Sequence, residues 1–477
     1  MTRKNAFALL PVLILAFTFA CLWSGCEQRP RVGGPEYRDP MRDPTPFQPA
    51  EEFTYLVDLN KATERMEQEV QAIEEGTEGS VGKEEYDVAM AALGLPGLKQ
   101  ESVMAEANAS MIHARGEYSL AETEDSFLKG LSEAGATEVL LPAHFPQGRW
   151  MGHLFLARPG DLMALLMRSV DKSLAEVSER MAEEGAPVQF SLDTDTWARL
   201  YGLDSAAQAH DWMGDELIVF SLSNPDFDPS APGDYSNMPS YSLLAISTER
   251  SEDGLGVFET LLDSTFTLFG MTDMLERTTL DEHPALLVHT PTFEGSPIGE
   301  MVTEEQREQL AEIPPALVVA MPGYLFLGDR PSVEAALEVY KEKGSGTGRN
   351  ATVECELNWD LLLEAFLPSN PGVYLSMLKE SSPAGVGELL DRLYEATRDT
   401  AELGTSRATV LVQDGESFHL DVYTSRESIG LLEKIQRVIE ETPQETWEEL
   451  GRQLGQAISQ GAMGGAGGQE FEFEFEK

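Results

Sequence analysis

Gly323-Tyr324-Leu325-Phe326-Leu327-Gly328-Asp329-Arg330-Pro331-Ser332-Val333-Glu334-Ala335-Ala336-Leu337 reads as a short strand, a turn and a capped helix. Leu325, Phe326 and Leu327 form a continuous apolar run, the pattern of a strand covered on both faces. Ser332 has the chemistry of an N-cap, because its oxygen accepts from a free N–H of the first helical turn. Val333, Ala336, Leu337 and Tyr340 then recur at helical spacing and give the helix one apolar face.

An earlier stretch has nearly the same wording, from Gly152-His153-Leu154-Phe155-Leu156 through Arg158-Pro159-Gly160-Asp161 to Leu162. Here Asp161 is the expected cap, with Leu162, Leu165, Leu166 and Val170 as the stripe. Two weaker echoes are Phe53 to Leu59 followed by Asn60, and Val353 to Leu357 followed by Asn358. Four strand-cap-helix units at irregular spacing predict a duplicated architecture rather than a solenoid. The expected fold class is α+β, with antiparallel or mixed sheets, helices packed on them and two related halves over 53–235 and 236–460. Leu154–Leu156 and Leu325–Leu327 are expected in equivalent strands. Further strands are expected at Trp150–Ala157, Asp215–Leu222, Tyr241–Ser247 and Ala285–His289. Hairpins are expected around Pro322-Gly323 and Asp414-Gly415, and a turn near Arg115-Gly116.

The chain has 82 acidic residues against 34 basic ones, a formal charge of −48. Binding to phosphates requires clustered Lys and Arg, so this balance argues against nucleic acid. It argues equally against electrostatic attachment to anionic lipid. A strongly negative surface promotes solubility.

The first 25 residues read as a lipoprotein signal peptide. Arg3 and Lys4 form a basic start, Ala6 to Leu22 an apolar run, and Ser24-Gly25 precede Cys26. This order resembles the bacterial lipobox, which implies lipidation of Cys26 and a membrane anchor through it. Residues 26–52 carry little apolar content and read as a flexible tether. At the other end, 461–477 is a Gly-rich linker followed by Glu-Phe alternation, with Phe471, Phe473 and Phe475 on one face when extended.

Motifs for chemistry are weak. The chain has no Gly-x-Ser-x-Gly elbow, no His-Glu-x-x-His pair and no Cys-x-x-Cys. Gly79-Ser80-Val81-Gly82-Lys83 lacks the spacing of a phosphate loop. Ser169 and Lys172 have Ser-x-x-Lys spacing without companion motifs. His283 and His289 flank an apolar strand and lack further ligands nearby in sequence. Asp226, Asp228 and Asp234 lie in a loop over 224–240, where prolines interrupt any calcium-loop pattern. Cys355 alternates with Val353 and Leu357 and reads as a small buried hydrophobe. Trp197 and Trp212 are candidates for a pocket wall. No catalytic, cofactor-binding or metal residue is assigned, and no cofactor is implied.

Leu22 to Cys26, Leu141-Pro142, Trp212 to Leu217 and Gly323 to Gly328 together resemble a class of uncharacterised bacterial envelope lipoproteins. The resemblance implies an envelope protein facing the periplasm or cell surface, at the outer membrane, and carries no functional residue with it. The expected role is binding or scaffolding with an envelope protein partner, without catalysis. The alternatives are a carrier holding an apolar ligand in a curved sheet, or an envelope hydrolase with a dispersed site.

Overall fold

The computed structural model describes residues 46–61, 97–120, 126–183, 193–227, 239–268, 270–271, 273–290, 314–341, 348–366, 384–397, 403–413 and 417–443. Its strands are β1 (Gln48–Pro49), β2 (Leu98–Ala107), β3 (Met111–Leu120), β4 (Thr137–Glu138), β5 (Trp150–Ala157), β6 (Glu216–Ser223), β7 (Ser240–Ser247) and β8 (Leu275–Leu280), then β9 (His283–Val288), β10 (Ala316–Met321), β11 (Tyr324–Asp329), β12 (Asn350–Ala351), β13 (Val353–Asn358), β14 (Thr405–Gln413) and β15 (Ser417–Ser425). The α-helices are α1 (Phe127–Ala134), α2 (Pro159–Glu183), α3 (Thr194–Leu200), α4 (Ser251–Leu268), α5 (Arg330–Val339), α6 (Trp359–Phe366), α7 (Ala384–Thr397) and α8 (Arg426–Glu440). The fold class is α+β, as the alternation predicts.

Thirteen strands form one sheet in the order β1-β2-β3-β15-β14-β13-β5-β6-β7-β11-β10-β9-β8, and β4 pairs separately with β12. Neighbours run antiparallel, including the central pair in which Leu154 lies opposite Cys355. Successive side chains alternate between the two faces. Phe326 therefore enters one core with Phe220, Leu243, Val319 and Phe145, which Val333 and Ala336 of α5 cover. Leu325 enters another on the opposite face with Ile246, Leu286 and Val318, under Leu255 and Val257 of α4. The apolar run at 325–327 is thus covered on both faces. A third core, on the same face as Leu325, joins Ile112, Ala114 and Tyr118 to Phe418, Leu420 and Val422, with Leu56 and Val57 packed on it. None of the described helices is long and apolar enough to cross a membrane.

Several local expectations change. Asp329, not Ser332, caps α5: its Oδ1 accepts from the Ser332 amide at 2.8 Å. Pro331 is tolerated in the first turn because no intrahelical N–H is needed there. In the earlier stretch the helix begins at Pro159, so Asp161 sits in the first turn, favourable to the helix dipole, rather than at the cap. Phe53 to Leu59 is no strand; Glu51–Val57 is a 3₁₀ turn that buries Leu56 and Val57. The turn expected at Arg115-Gly116 lies instead at 109–110, where the preceding Asn108 Oδ1 accepts from the Ser110 and Met111 amides at 3.0 and 2.7 Å. Gly116 is a glycine for a packing reason. A Cβ there would meet the Tyr118 hydroxyl at 2.5 Å. The echo at Val353 to Asn358 does follow the expected order, with Asn358 Oδ1 accepting from the Leu361 amide at 3.2 Å.

β5 and β11 do not hold equivalent places. β5 lies between β13 and β6, whereas β11 lies between β7 and β10. The line drawn near residue 235 falls between β6 and β7, which are paired neighbours in the sheet. The wording shared by the two stretches is the common grammar of a buried strand leading into a helix. The hairpins at Pro322-Gly323 and beside 414–415 form as expected. Gly323 has φ +86°, which suits the third position of a type II turn after Pro322. The leader with Cys26, the Gly79–Lys83 stretch, Asp228, Asp234 and the tail with Phe471, Phe473 and Phe475 lie outside the described residues.

Candidate functional site

Antiparallel pairing brings the first residue of β6, the last of β7 and the first of β11 to one end of the sheet. Tyr324 lies opposite Ser247 in the register, and the Glu216 amide donates to Ser247 Oγ at 2.7 Å. A cleft of about 560 Å³ opens there, within the size range of small-molecule sites. Its walls include Trp212, Thr248, Tyr324, Tyr340 and His144. Thr248 Oγ donates to the Trp212 carbonyl at 2.5 Å. Trp212 packs so closely on α4 that a Cβ on Gly254 would meet its ring at 2.6 Å. The His144 ring stacks on Tyr340 with centroids 5.1 Å apart. His144 Nδ1 donates to the Lys341 carbonyl at 2.7 Å.

Glu216 is the buried acid of this cleft, 1% exposed. Its Oε1 accepts from the Leu140 amide at 2.6 Å and the Leu141 amide at 3.4 Å. Its Oε2 accepts from the Tyr324 hydroxyl. Burial raises its pKa, although the Tyr324, Leu140 and Leu141 hydrogen bonds and His144 pull the other way. Tyr324 is held far above the usual phenol range, first by burial and then by the Glu216 charge. It therefore stays a donor. Three donors occupy this carboxylate, so it serves as a pin joining β6, β11 and the segment at 140–141. A general base needs a lone pair directed at substrate.

A second polar network sits on the central strand pair. Trp150 Nε1 donates to His153 Nδ1 at 3.1 Å, so His153 Nε2 carries the proton shared with Glu354 Oε1 at 3.2 Å. Arg349 and Thr409 donate to the same carboxylate at 3.0 and 3.2 Å. Burial pushes the Glu354 pKa up, but the His153 hydrogen bond and the Arg349 charge outweigh it and leave the group below its usual value.

A third network lies on the half-exposed face of β2, β3 and β15. His113 contacts Glu106 through Nδ1 at 3.1 Å and Asp421 through Nε2 at 3.0 Å. Arg115 donates twice to Asp421, at 2.7 and 3.0 Å. The His113 ring stacks on Tyr423 at 4.1 Å, and Arg407 lies over the other ring's centroid at 5.2 Å. Burial pulls the His113 pKa down, but Asp421 and Glu106 outweigh it and leave it raised. Burial pushes Asp421 up, but His113 and Arg115 leave it lowered. The two carboxylates hold opposite nitrogens of one ring, so they cannot converge on one ion. Among the described residues no group of His, Cys, Asp and Glu forms a metal-binding set.

The residues singled out by sequence do not meet at any of these places, with one exception. Trp212 lines the cleft, whereas Trp197 is 44% exposed on α3 and stacks on Tyr201. Ser169 and Lys172 fall within α2. His289 pairs with Glu276 at 3.1 Å. The Asp226 amide donates to Asn224 Oδ1 at 3.0 Å, a local loop bond. Burial, then Glu354 and Glu356, push the Cys355 thiol up to about 12, so it stays a thiol. Glu216, Tyr324, His144 and the two histidine networks were not anticipated. The available signal was an acid breaking an apolar strand, as in Glu216-Leu217-Ile218 and Val353-Glu354-Cys355. Their partners lie far away in sequence. Comparison with protein-family models, with curated proteins and with solved structures gave no match.

Proposed function

We propose that the protein is a lipid-anchored envelope protein that works by binding rather than catalysis. The observation that carries the binding reading is the Glu216 carboxylate, held by the Tyr324 hydroxyl and the Leu140 and Leu141 amides as a structural pin in the wall of a cleft of ligand size. The address rests on the order of Arg3 and Lys4, the apolar run and Ser24-Gly25-Cys26. In this reading Cys26 is diacylated, because one acyl chain binds a bilayer weakly and two hold it stably. The tether expected over 26–52 is then the part ahead of β1, because Gln48–Pro49 pairs with β2 and Ala50 is buried, and an envelope protein is the partner. We propose the related halves expected from the sequence in a different pairing of strands.

Fractionation of cells expressing Cys26→Ser tests the anchor. The variant should leave the membrane fraction and lose fatty-acid label; retention of both refutes the address. Purified protein should show no turnover on ester, peptide and glycan panels, and crosslinking in intact cells should recover an envelope protein. Turnover abolished by Glu216→Gln would replace binding with hydrolysis.

A further inference from the structure

We propose that the chain is a fused pair, two copies of one unit interleaved about a pseudo-two-fold axis normal to the sheet between β5 and β13, with the Glu216 cleft open in one copy and its counterpart closed by Arg426 in the other. The cleft's importance rests on the binding reading above; the two-copy architecture does not.

The chain order carries the first part. The first copy runs β1, the β2–β3 hairpin, α1, β4, β5, α2, α3, the β6–β7 hairpin and α4. The second runs β9, the β10–β11 hairpin, α5, β12, β13, α6, α7, the β14–β15 hairpin and α8. Outward from β5 the sheet reads β6, β7, β11, β10, β9; outward from β13 it reads β14, β15, β3, β2, β1. Each of these strands thus has its topological counterpart at the same distance on the other side; β8, at the far edge beyond β9, has none among the described strands. β5 corresponds to β13, and β11 to β3. The two short strands β4 and β12 are counterparts, and they pair with each other. The arrangement is interleaved, because each copy's first hairpin pairs with the other copy's second.

Strand order alone does not set register, since a one-residue slip keeps the order and moves every side chain to the other face. The register matches too. Leu154 and Cys355, opposite each other at the axis, exchange places under the rotation. The residue after β5 bonds to the residue before β6, Arg158 N to Asp215 O at 2.9 Å. Its counterpart is Trp359 N to Gly404 O at 3.0 Å. The residue after β7 bonds to the second turn residue of the other copy's hairpin, Thr248 N to Gly323 O at 2.9 Å. Its counterpart is Arg426 N to Ser110 O at 2.9 Å. Each bond adds one rung to a ladder between strands that no tight hairpin joins, so local turn geometry does not dictate it. They are what a closed two-fold interface repeats.

The same correspondence sets Arg426 against Thr248. Thr248 is a short side chain whose hydroxyl bonds to Trp212 beside the cleft. Arg426 instead extends to the Asn108 carbonyl at 2.8 Å and places its guanidinium over the Phe53 ring at 5.2 Å. Asn108 is the counterpart of Met321, each being the last residue before its turn.

Experimental coordinates test the architecture. Superposing β2, β3, β5, β6 and β7 on β10, β11, β13, β14 and β15 should need a two-fold rotation and should match 154 with 355, 248 with 426 and 323 with 110. A different rotation, or a register shifted by one residue, overturns it. Thr248→Arg in the full chain tests the closed counterpart. It should fold with an unchanged circular dichroism spectrum, lay its guanidinium on the Met321 carbonyl and close the cleft. Arg426→Thr should open a cavity beside the turn at 109–110 and guards against a folding failure of the first variant. An arginine at 248 pointing to solvent over an open cleft, or no new cavity in Arg426→Thr, refutes the counterpart. Both results are read from coordinates, so failure to find a ligand, which would sink the binding reading, leaves them standing.

Discussion

The sheet has one face on which its two wings differ in chemistry. On the β6, β7 and β11 wing this face presents Ile218, Phe220, Leu243 and Phe326, all buried in the core that Val333 and Ala336 of α5 share with Val139, Leu141 and Phe145. On the β14, β15 and β3 wing the matching places hold Arg407, Thr409, Asp421 and His113, all half-buried: His113 bonds to Asp421, Thr409 to Glu354, and Arg407 lies over the Tyr423 ring. The helices after the two first hairpins account for the difference. α5 follows β11 and packs Val333 and Ala336 onto this face. α1 follows β3 and packs Leu131 and Ala134 against Leu162, Leu156 and Val353 on the opposite face. The same backbone ladder thus supports an apolar core where a helix covers it, and a charged cross-strand network where α1 has gone to the other side. An antiparallel sheet permits both, because only one of its faces must be buried.

The largest expected effect lies on the covered wing. Phe326→Ala should cost about 3–5 kcal/mol in denaturant unfolding, from lost transfer energy and the cavity left behind. Tyr423→Ala, on the open wing, should cost no more than about 1 kcal/mol, since its ring is stacked but half-exposed. Equal losses would break the contrast.

Glu354 lies at the boundary between the wings. Glu354→Ala should cost about 3 kcal/mol, because it strands His153 and Arg349 after removing a fully buried acceptor. Glu354→Gln, which retains an acceptor oxygen, should cost less. If both variants unfold at the parent's midpoint, the network does not hold the central pair together.

On the open wing cohesion should depend on pH from both sides. The Asp421 pKa is lowered by folding, so its contribution is present above the usual carboxylate value and lost as pH falls through the folded one. The His113 pKa is raised, so its contribution is full below the usual imidazole value and lost as pH rises through the folded one. Amide protection across β3 and β15 should therefore be greatest between about pH 4 and 6.5, the unperturbed values of the two groups. Asp421→Asn should remove about 1–2 kcal/mol inside that window and flatten the profile. Protection that ignores pH, or that is unchanged in the variant, would make the network a passive surface.

The smallest effect is expected at the cleft. The Glu216 pKa is raised, so its ionised form disfavours the fold, and stability falls as pH rises through the folded value. Glu216→Gln keeps an acceptor for the Leu140 and Leu141 amides and removes the buried charge. It should unfold within about 1 kcal/mol of the parent near neutral pH and with a shallower pH slope. A large loss at all pH values would show that the charge itself, and not the pin, organises the cleft.

What the sequence determined by itself was local. Alternation and apolar runs placed β5, β6, β7, β10, β11, β13, β14 and β15, and the α+β class with them, because a side chain's preference for one face or for a helix is set within a few residues. Asp329 and Asn108 show the limit even there, since several nearby side chains compete for the same free amides and only the folded backbone selects one. Of the site only Trp212 was legible. Glu216 becomes a pinned acid only when Tyr324 and Leu140 arrive beside it, and His113 becomes a bridge only when β15 lies against β3. Strand order and register belong to the tertiary structure for the same reason: they depend on which distant edges meet, and a strand's own residues are compatible with many neighbours.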